Sequence, residues 1–429
     1  MNYHNIHAHI FTMNNAPRDF LSLYMPKFAA NAIDTLTNTQ AGASAFVGVM
    51  RILPFRSLKR YASFLEVGKS SGQLDVFRDL MLQYEDSSLK ITALTLNMEN
   101  MGAGPSMTGF EGQIEEILIV KKRYYNRLNV FFGLDPRWKV SGDEIKQTLE
   151  KYFTNKIHIS SIVADVFPFC GIKLYPSTGY YIFDPKMKAS LEWVAENKIP
   201  ILTHCSYLGG IFNNDRNFLE ANIGQFNPYN NSKHPAPRPG HKLKNKFFKK
   251  IFNTQKSENN KFYSSYFLEP ESYRSILNYF KSIGRPLKIC FAHFGGSEHM
   301  KLQHEIETKN IKDPGGYFGT KPDLNWCKQI QDLMRDFDTV YTDISYSLTD
   351  SSTHNFIFNE ILLKPYRDRI LFGTDFFMTE REAKEKNTYS SFKKIAQSFM
   401  ITTGDGQQSN AWDMMASKNI EAFLKSSFY

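Results

Sequence analysis

Short apolar runs alternate with amphipathic stretches along most of the chain, and the two patterns have different periods. The runs "KITALTLNME" (90–99), "LNVFFGLDPRW" (128–138), "FCGIKLYP" (169–176), "IPILTHCS" (199–206), "LKICFAHFGG" (287–296), "TVYTDISYS" (339–347) and "RILFGTDFF" (369–377) are short and rich in β-branched and aromatic residues, which predicts strands. Between them, apolar positions at helical spacing predict helices over 113–126, 144–153, 186–198, 272–284 and 327–337, near 354–366, and through the C-terminal remainder. With "NIHAHIF" near the start, the strands number eight. Parallel neighbours need a crossover connection, so strands that alternate with helices predict a parallel sheet. Eight such units predict an α/β chain folded as a (β/α)8 TIM barrel. A doubly wound open sheet is the alternative, but no glycine-rich turn follows the first strand.

Two stretches break the rhythm, and both leave the C-terminal end of a strand, the face where barrels carry their sites. Residues 12–89 follow strand one and contain helical patterns such as "LDVFRDLMLQYE", predicting a large helical insertion. Residues 207–268 follow strand five, are rich in Asn, Lys and Pro, and predict a flap-like insertion. The expected organisation is a single barrel domain over 1–429 carrying these two insertions.

Composition narrows the class. Of 429 residues, 42% are hydrophobic, with 36 Phe and 22 Tyr, enough for a large core. No apolar run is long enough to span a bilayer; the longest near the N-terminus, "AFVGVMRIL" (45–53), is short and contains Arg51. No basic segment followed by an apolar stretch opens the chain, so the cytoplasm is the expected compartment and no membrane partner is expected. Cys170, Cys205, Cys290 and Cys327 form no C-x-x-C pair, which suits reduced, buried thiols. The net charge of +9 owes much to "HKLKNKFFKKIFNTQK" (241–256), read as the solvated face of the second insertion. No nucleic-acid motif accompanies it, so no nucleic-acid partner is expected.

Polar residues recur where the apolar runs end. His7 and His9 share one face of strand one, since a strand sends alternate side chains to the same side; His4 falls out of that register. Lys173 ends strand four, His204 strand five, His293 strand six and Asp375 strand eight. Each alone has an ordinary structural explanation. Together, several imidazoles and a carboxylate at one barrel mouth suit a divalent ion such as zinc. Such an ion lowers the pKa of a bound water toward neutrality and so supplies a nucleophile, while Asp375 can ligate and also accept the water's proton. Arg137 in "GLDPRW" is a candidate clamp for a substrate carboxylate, its alternative being an ion pair with Asp135. Asp343 on strand seven is placed to orient a ligating histidine, and Tyr175 and Tyr180 to line a pocket. His4, His158, His234, His241, His299, His304 and His354 are assigned surface or structural roles.

In this order, H-x-H on strand one, His on strand five, His on strand six and Asp on strand eight, the sequence resembles the amidohydrolase superfamily. The phrases "GIKLYP", "WVAENKIPILTHCS", "ICFAHFGG", "VYTDIS", "RILFGTD" and "KNIEAFL" resemble its amidohydrolase-related branch, outside the two insertions. The resemblance implies that His7, His9, His204 and Asp375 hold one metal ion, commonly zinc, with one ion expected rather than two. It implies that His293 sits beside the ion as an acid/base or, in two-metal members, as a ligand of a second ion. Lys173 occupies the position where two-metal members carry a carboxylated lysine. One departure is Asn5, where the family usually places an acidic residue before the histidine pair. The implied activity is metal-dependent hydrolysis of an amide, lactone or ester bond in a small molecule, by a protein that often dimerises. The alternative is non-oxidative decarboxylation of a carboxylated aromatic or cyclic substrate, in which Arg137 gains importance. A barrel kept as a binding scaffold needs an incomplete ligand set, and this one is complete.

Overall fold

The computed structural model describes residues 1–20, 72–207, 210–233, 263–309, 325–402 and 406–429. Its main sheet has eight parallel strands: β1 (His4–Ala8), β2 (Lys90–Leu94), β3 (Leu128–Leu134), β4 (Gly171–Leu174), β5 (Ile201–Thr203), β6 (Ile289–Phe291), β7 (Val340–Asp343) and β8 (Ile370–Leu371). They are hydrogen-bonded in chain order, each to its predecessor and successor. The chain past β8 then meets β1: Ala8 and Phe376 form a parallel bridge, Ile6 N–H donates to the Phe372 carbonyl (3.1 Å), and Asp375 N–H donates to the His7 carbonyl (2.8 Å). The sheet therefore closes on itself, and the fold is a (β/α)8 barrel. Closure satisfies the edge groups of the first and last strands, which would otherwise stand open.

Helices pack outside. Gly109–Arg123 buries Phe110, Ile114, Ile117 and Val120 at helical spacing, and Gly142–Thr154 buries Ile145, Leu149 and Phe153. Ser141 starts the latter by accepting the Glu144 N–H (3.2 Å), and the Asn325 side chain caps Trp326–Asp336 the same way. These caps satisfy backbone donors that have no partner within the helix. All four cysteines are free and buried.

Three features depart from the sequence expectation. The strands are shorter than the apolar runs, because the last residues of each run turn into the loops at the mouth; "LKICFAHFGG" leaves the sheet at Phe291 and enters a tight turn over Ala292–Phe294. A helix over Ser297–Lys309 was not anticipated, its charged residues masking a thin apolar face of Met300 and Leu302. Near 354–366 the helix stops at Asn359, and the C-terminal region holds a hairpin, Met400–Thr402 against Gln408–Asn410, among its helices. Of the first insertion, the predicted helical stretch is present as Gln73–Leu82. Of the second, Arg216–Asn222 is helical and Phe226–Asn227 pairs with Ser232–Lys233. Residues 21–71 of the first insertion, and 208–209 and 234–262 of the second, including the basic stretch 241–256, lie outside the described residues.

Asn5 braces the closing seam. Its Nδ2 donates to Tyr84 Oη (2.9 Å) and Thr374 Oγ1 (2.8 Å), and its Oδ1 accepts the N–H groups of His7 and Thr374 (both 3.1 Å). Every donor and acceptor of this fully buried amide is used. Asn5→Ala leaves two backbone donors of β1 and the β8 loop without partners. It is expected to lower unfolding free energy by about 2–4 kcal/mol, measured by urea denaturation; an unchanged midpoint would show that the seam does not need it.

Candidate metal centre

His7 lies on β1 and His9 one residue past its end, with ring centroids 5.4 Å apart. The Nδ1 of His9 lies 3.2 Å from the Leu94 carbonyl oxygen, and the Nδ1 of His7 lies 2.9 Å from Asp343 Oδ2. An oxygen acceptor at Nδ1 requires the proton there, so the hydrogen-bond network assigns both rings an unprotonated Nε2. Those two Nε2 atoms lie 3.3 and 3.4 Å from a single oxygen, Asp375 Oδ1. Two lone pairs and a carboxylate oxygen repel one another unless a cation or a proton lies between them. The Nε2 of His7 is buried and has no hydrogen-bond partner. The donor set and its orientation fit a divalent ion.

His204, at the end of β5, places Nδ1 3.2 Å from Nε2 of His293. Its own Nε2 is buried without a hydrogen-bond partner. His293 sits just past β6 in a left-handed backbone conformation (φ 64°), a strained geometry for a non-glycine residue. Its N–H donates to Asp343 Oδ1 (2.9 Å), and its Nδ1 lies 2.9 Å from Ser345 Oγ. Among the described residues, ligand atoms come within 4.8 Å of one another in two groups, His7–His9–Asp375 and His7–His293–Asp343. In the second group Asp343 is already hydrogen-bonded to both histidines, so the first is the candidate ion site. His204 belongs to neither group; its ring lies 5.0 Å from that of His293, which in turn lies 5.0 Å from that of His7.

Lys173 is 1% exposed on β4, and its Nζ has no hydrogen-bond partner. Burial lowers its pKa to about 8, against the pull of Asp375 and Asp343. Burial, helped by the Lys173 charge, holds His9 at about 3. Burial likewise brings His293 to about 4, although Asp375 acts in the opposite sense. Burial raises Asp375, with His7 and His293 opposing. Burial would also raise Asp343, but His7 and the His293 N–H hold it below the usual carboxylate range. The imidazoles are therefore neutral near pH 7, the form that ligates.

Arg137 is not free to clamp a substrate. Its Nε and one terminal nitrogen bind Asp135 (2.8 and 2.5 Å), and its remaining donors reach the Asn100 and Thr178 carbonyls (3.2 and 3.0 Å) and Thr178 Oγ1 (2.7 Å). All five N–H groups are thus committed within the protein. The ion pair with Asp135 is present, and the guanidinium ties together the loops after β2, β3 and β4. Tyr175 is half-buried and meets the His204 ring edge-on at 5.0 Å, which places it at the mouth. Tyr180 is buried, its hydroxyl accepting the Tyr175 N–H and donating to the Leu134 carbonyl, a structural role. Of the histidines set aside, His4 pairs with Glu421 (2.8 Å), exposed His158 with Asp165 (2.9 Å), His304 with Glu360, and His354 with the Leu348 carbonyl (2.9 Å). His299 accepts the Trp326 N–H (2.7 Å), and His234 and His241 lie outside the described residues.

Sequence reasoning missed Ser345, whose signal is the D-x-S spacing at the end of β7. It also missed buried Glu385, which accepts from Tyr84 Oη and Thr379 Oγ1 (2.5 and 3.2 Å) behind the Asn5 seam.

No family model and no curated protein matches the chain. Solved structures do. A probable 2-pyrone-4,6-dicarboxylic acid hydrolase from Acinetobacter baumannii is 9% identical, with 99% of each chain covered and a TM-score of 0.45. A 2,6-dihydroxybenzoate decarboxylase from Rhizobium is 12% identical, over 99% of this chain and 98% of that one, with a TM-score of 0.46. A 5-carboxyvanillate decarboxylase from Novosphingobium aromaticivorans, with bound manganese, is 13% identical over 98% and 97%, with a TM-score of 0.49. At these levels the likenesses add nothing to what the chain's own sheet order establishes. Fold and site define a barrel protein with an imidazole–carboxylate centre at the C-terminal mouth. Of the four residues that the resemblance implies as ligands, His7, His9 and Asp375 stand together in it, and His204 lies outside that group.

The buried histidines set a pH dependence. His9, His293 and His299 protonate at about 3, 4 and 4 in the folded chain, all lowered first by burial from 6.5. Between pH 6.5 and 4.5 unfolding therefore takes up protons, and stability falls with pH. Glu385, raised by burial from 4.5 to about 7, acts in the opposite sense over the same range. With His7 and His204, which burial also lowers, five imidazoles outnumber the carboxylates that burial raises, Glu385, Asp375 and Glu360, so metal-free protein is expected to lose roughly 1.4 kcal/mol per pH unit for each net proton. Urea titrations in chelator across this range check it; stability that rises toward pH 4.5 would mean the histidines are charged in the folded chain.

Proposed function

We propose that this protein is a metal-dependent hydrolase of a small molecule, cleaving an amide, lactone or ester bond. The observation that carries the reading is the convergence of the His7 and His9 lone pairs with the Asp375 oxygen at the mouth of the barrel. His7, His9 and Asp375 would hold a divalent ion, for which zinc is proposed, with His204 as the fourth ligand that the resemblance implies. When bound, that ion acidifies a water molecule and polarises the scissile carbonyl.

The chain's own residues do the rest. Asp375 Oδ1 faces the two imidazoles, which leaves a second carboxylate oxygen that would accept a water's proton. Burial makes that oxygen a stronger base than an exposed carboxylate. His293, the other proton carrier expected from the sequence, has Nδ1 committed to Ser345 and Nε2 facing His204. Asp375 is therefore proposed as the principal base. Tyr175 offers a face to the substrate beside His204. Decarboxylation of a carboxylated aromatic was to draw on Arg137 as its clamp, and that guanidinium has no donor left. The committed state of Arg137 favours hydrolysis.

In metal analysis of purified protein, the parent is expected to carry roughly one ion per chain, and His7→Ala and Asp375→Ala nearly none. Variants that keep the parent's metal content would refute the site. On a panel of lactones, esters and amides set against aromatic carboxylic acids, turnover is expected in the first group; carbon dioxide released from the second would refute hydrolysis while leaving the metal centre standing.

A further inference from the structure

We propose that Ser345 is a positioning residue that holds the proton of His293 on Nδ1 and supports the same tautomer at His7, where Asp343 already favours it. It lies two residues beyond Asp343, at the end of β7, and is fully buried. Its Oγ is 3.0 Å from His7 Nδ1 and 2.9 Å from His293 Nδ1, and it makes a short hydrogen bond to Asp343 Oδ1. The Ser345 N–H also donates to that oxygen (3.0 Å), which pins the hydroxyl in place.

A hydroxyl has one proton and two lone pairs. The carboxylate only accepts, so the Ser345 proton goes to Asp343. Both lone pairs then face imidazole nitrogens, and each of these must be N–H. One arrangement satisfies all three contacts: His7 and His293 both carry the proton on Nδ1 and both present Nε2 to the mouth. Were either ring protonated on Nε2 instead, its Nδ1 lone pair would face a Ser345 lone pair across about a hydrogen-bond length. The backup acceptors are unequal. His7 keeps Asp343 Oδ2 at 2.9 Å if the hydroxyl is removed, whereas His293 keeps only the Ser345 carbonyl at 3.1 Å. Ser345 thus couples a histidine of the candidate ion site on β1 to a histidine past β6.

The consequence for ion binding rests on the metal-centre reading; the tautomer assignment does not. The test uses full-length, metal-free protein with 15N-labelled histidine, read by NMR, together with zinc titration. In the parent, His7 and His293 are expected as Nδ1–H tautomers. In Ser345→Ala, His293 is expected to show a mixture, and zinc affinity to fall about 10-fold. Ser345→Thr restores a hydroxyl and is expected to recover both readings. Parent-like tautomers and parent-like zinc affinity in Ser345→Ala would overturn the proposal. So would an Nε2–H tautomer on either ring of the parent, a result that decides the matter even if the alanine variant does not fold. A parent that binds no zinc refutes the metal centre instead, and the tautomers still judge Ser345.

Discussion

Four groups meet at the buried carboxylate of Asp343: the His7 ring through one oxygen, and the His293 N–H, the Ser345 N–H and the Ser345 hydroxyl through the other. A carboxylate so deep is costly to ionise, and donors on this scale are what repay it. Because the donors come from β1, from the turn after β6 and from the end of β7, the charge ties three segments of the barrel into one geometry. It also aims a neutral imidazole lone pair at the mouth. Removing the negative charge would free His7 to turn its proton the other way, and the site would lose its direction before it lost its residues.

The second constraint is closure. The seam between β1 and the chain past β8 carries His7, His9 and Asp375 on its two sides, so the same backbone hydrogen bonds that close the barrel set the distance between the ligands. Asp375 N–H on the His7 carbonyl is the plainest case: a fold contact and a site contact are the same bond. Asn5 completes it from behind. An acidic residue at position 5 would bring a second buried charge close to Glu385; the amide supplies two donors instead, and Tyr84 in turn donates to Glu385.

Much of this was legible in the sequence. Alternation of strand and helix periods fixes the barrel, because parallel strands admit few other arrangements, and His7 and His9 declare themselves by period-two spacing. What was hidden depends on where strands end. Apolar character continues past the last ladder bond, so the runs at 287–296 and 369–377 read as strands where the chain has already turned. Arg137 looked like a ligand-binding cation because its partners at Asn100 and Thr178 are distant in sequence. The grouping of His204 with His293, rather than with the β1 pair, follows from a turn geometry that no residue pattern encodes.

That turn geometry has a physical rationale. His293 and Asp375 both lie beyond the last ladder residue of their strands, and both have left-handed backbones, at φ 64° and 65°. Continued as extended chain, each side chain would keep the strand's two-fold alternation, with no freedom to tilt toward the axis. A single left-handed residue swings the side chain inward at a cost of about 1–2 kcal/mol. Local hydrogen bonds offset it: the Met378 and Thr379 N–H groups donate to the Asp375 carbonyl (2.9 and 3.2 Å), and Gly296 N–H and Ser347 Oγ donate to that of His293 (2.9 and 2.8 Å). At Gly295 and Gly296 the left-handed path continues without a Cβ penalty. Phe294 (φ 50°) and Tyr346 (φ 57°) at the same mouth share this conformation, and at His293 and Asp375 the strain is held by the hydrogen bonds that each carbonyl accepts there.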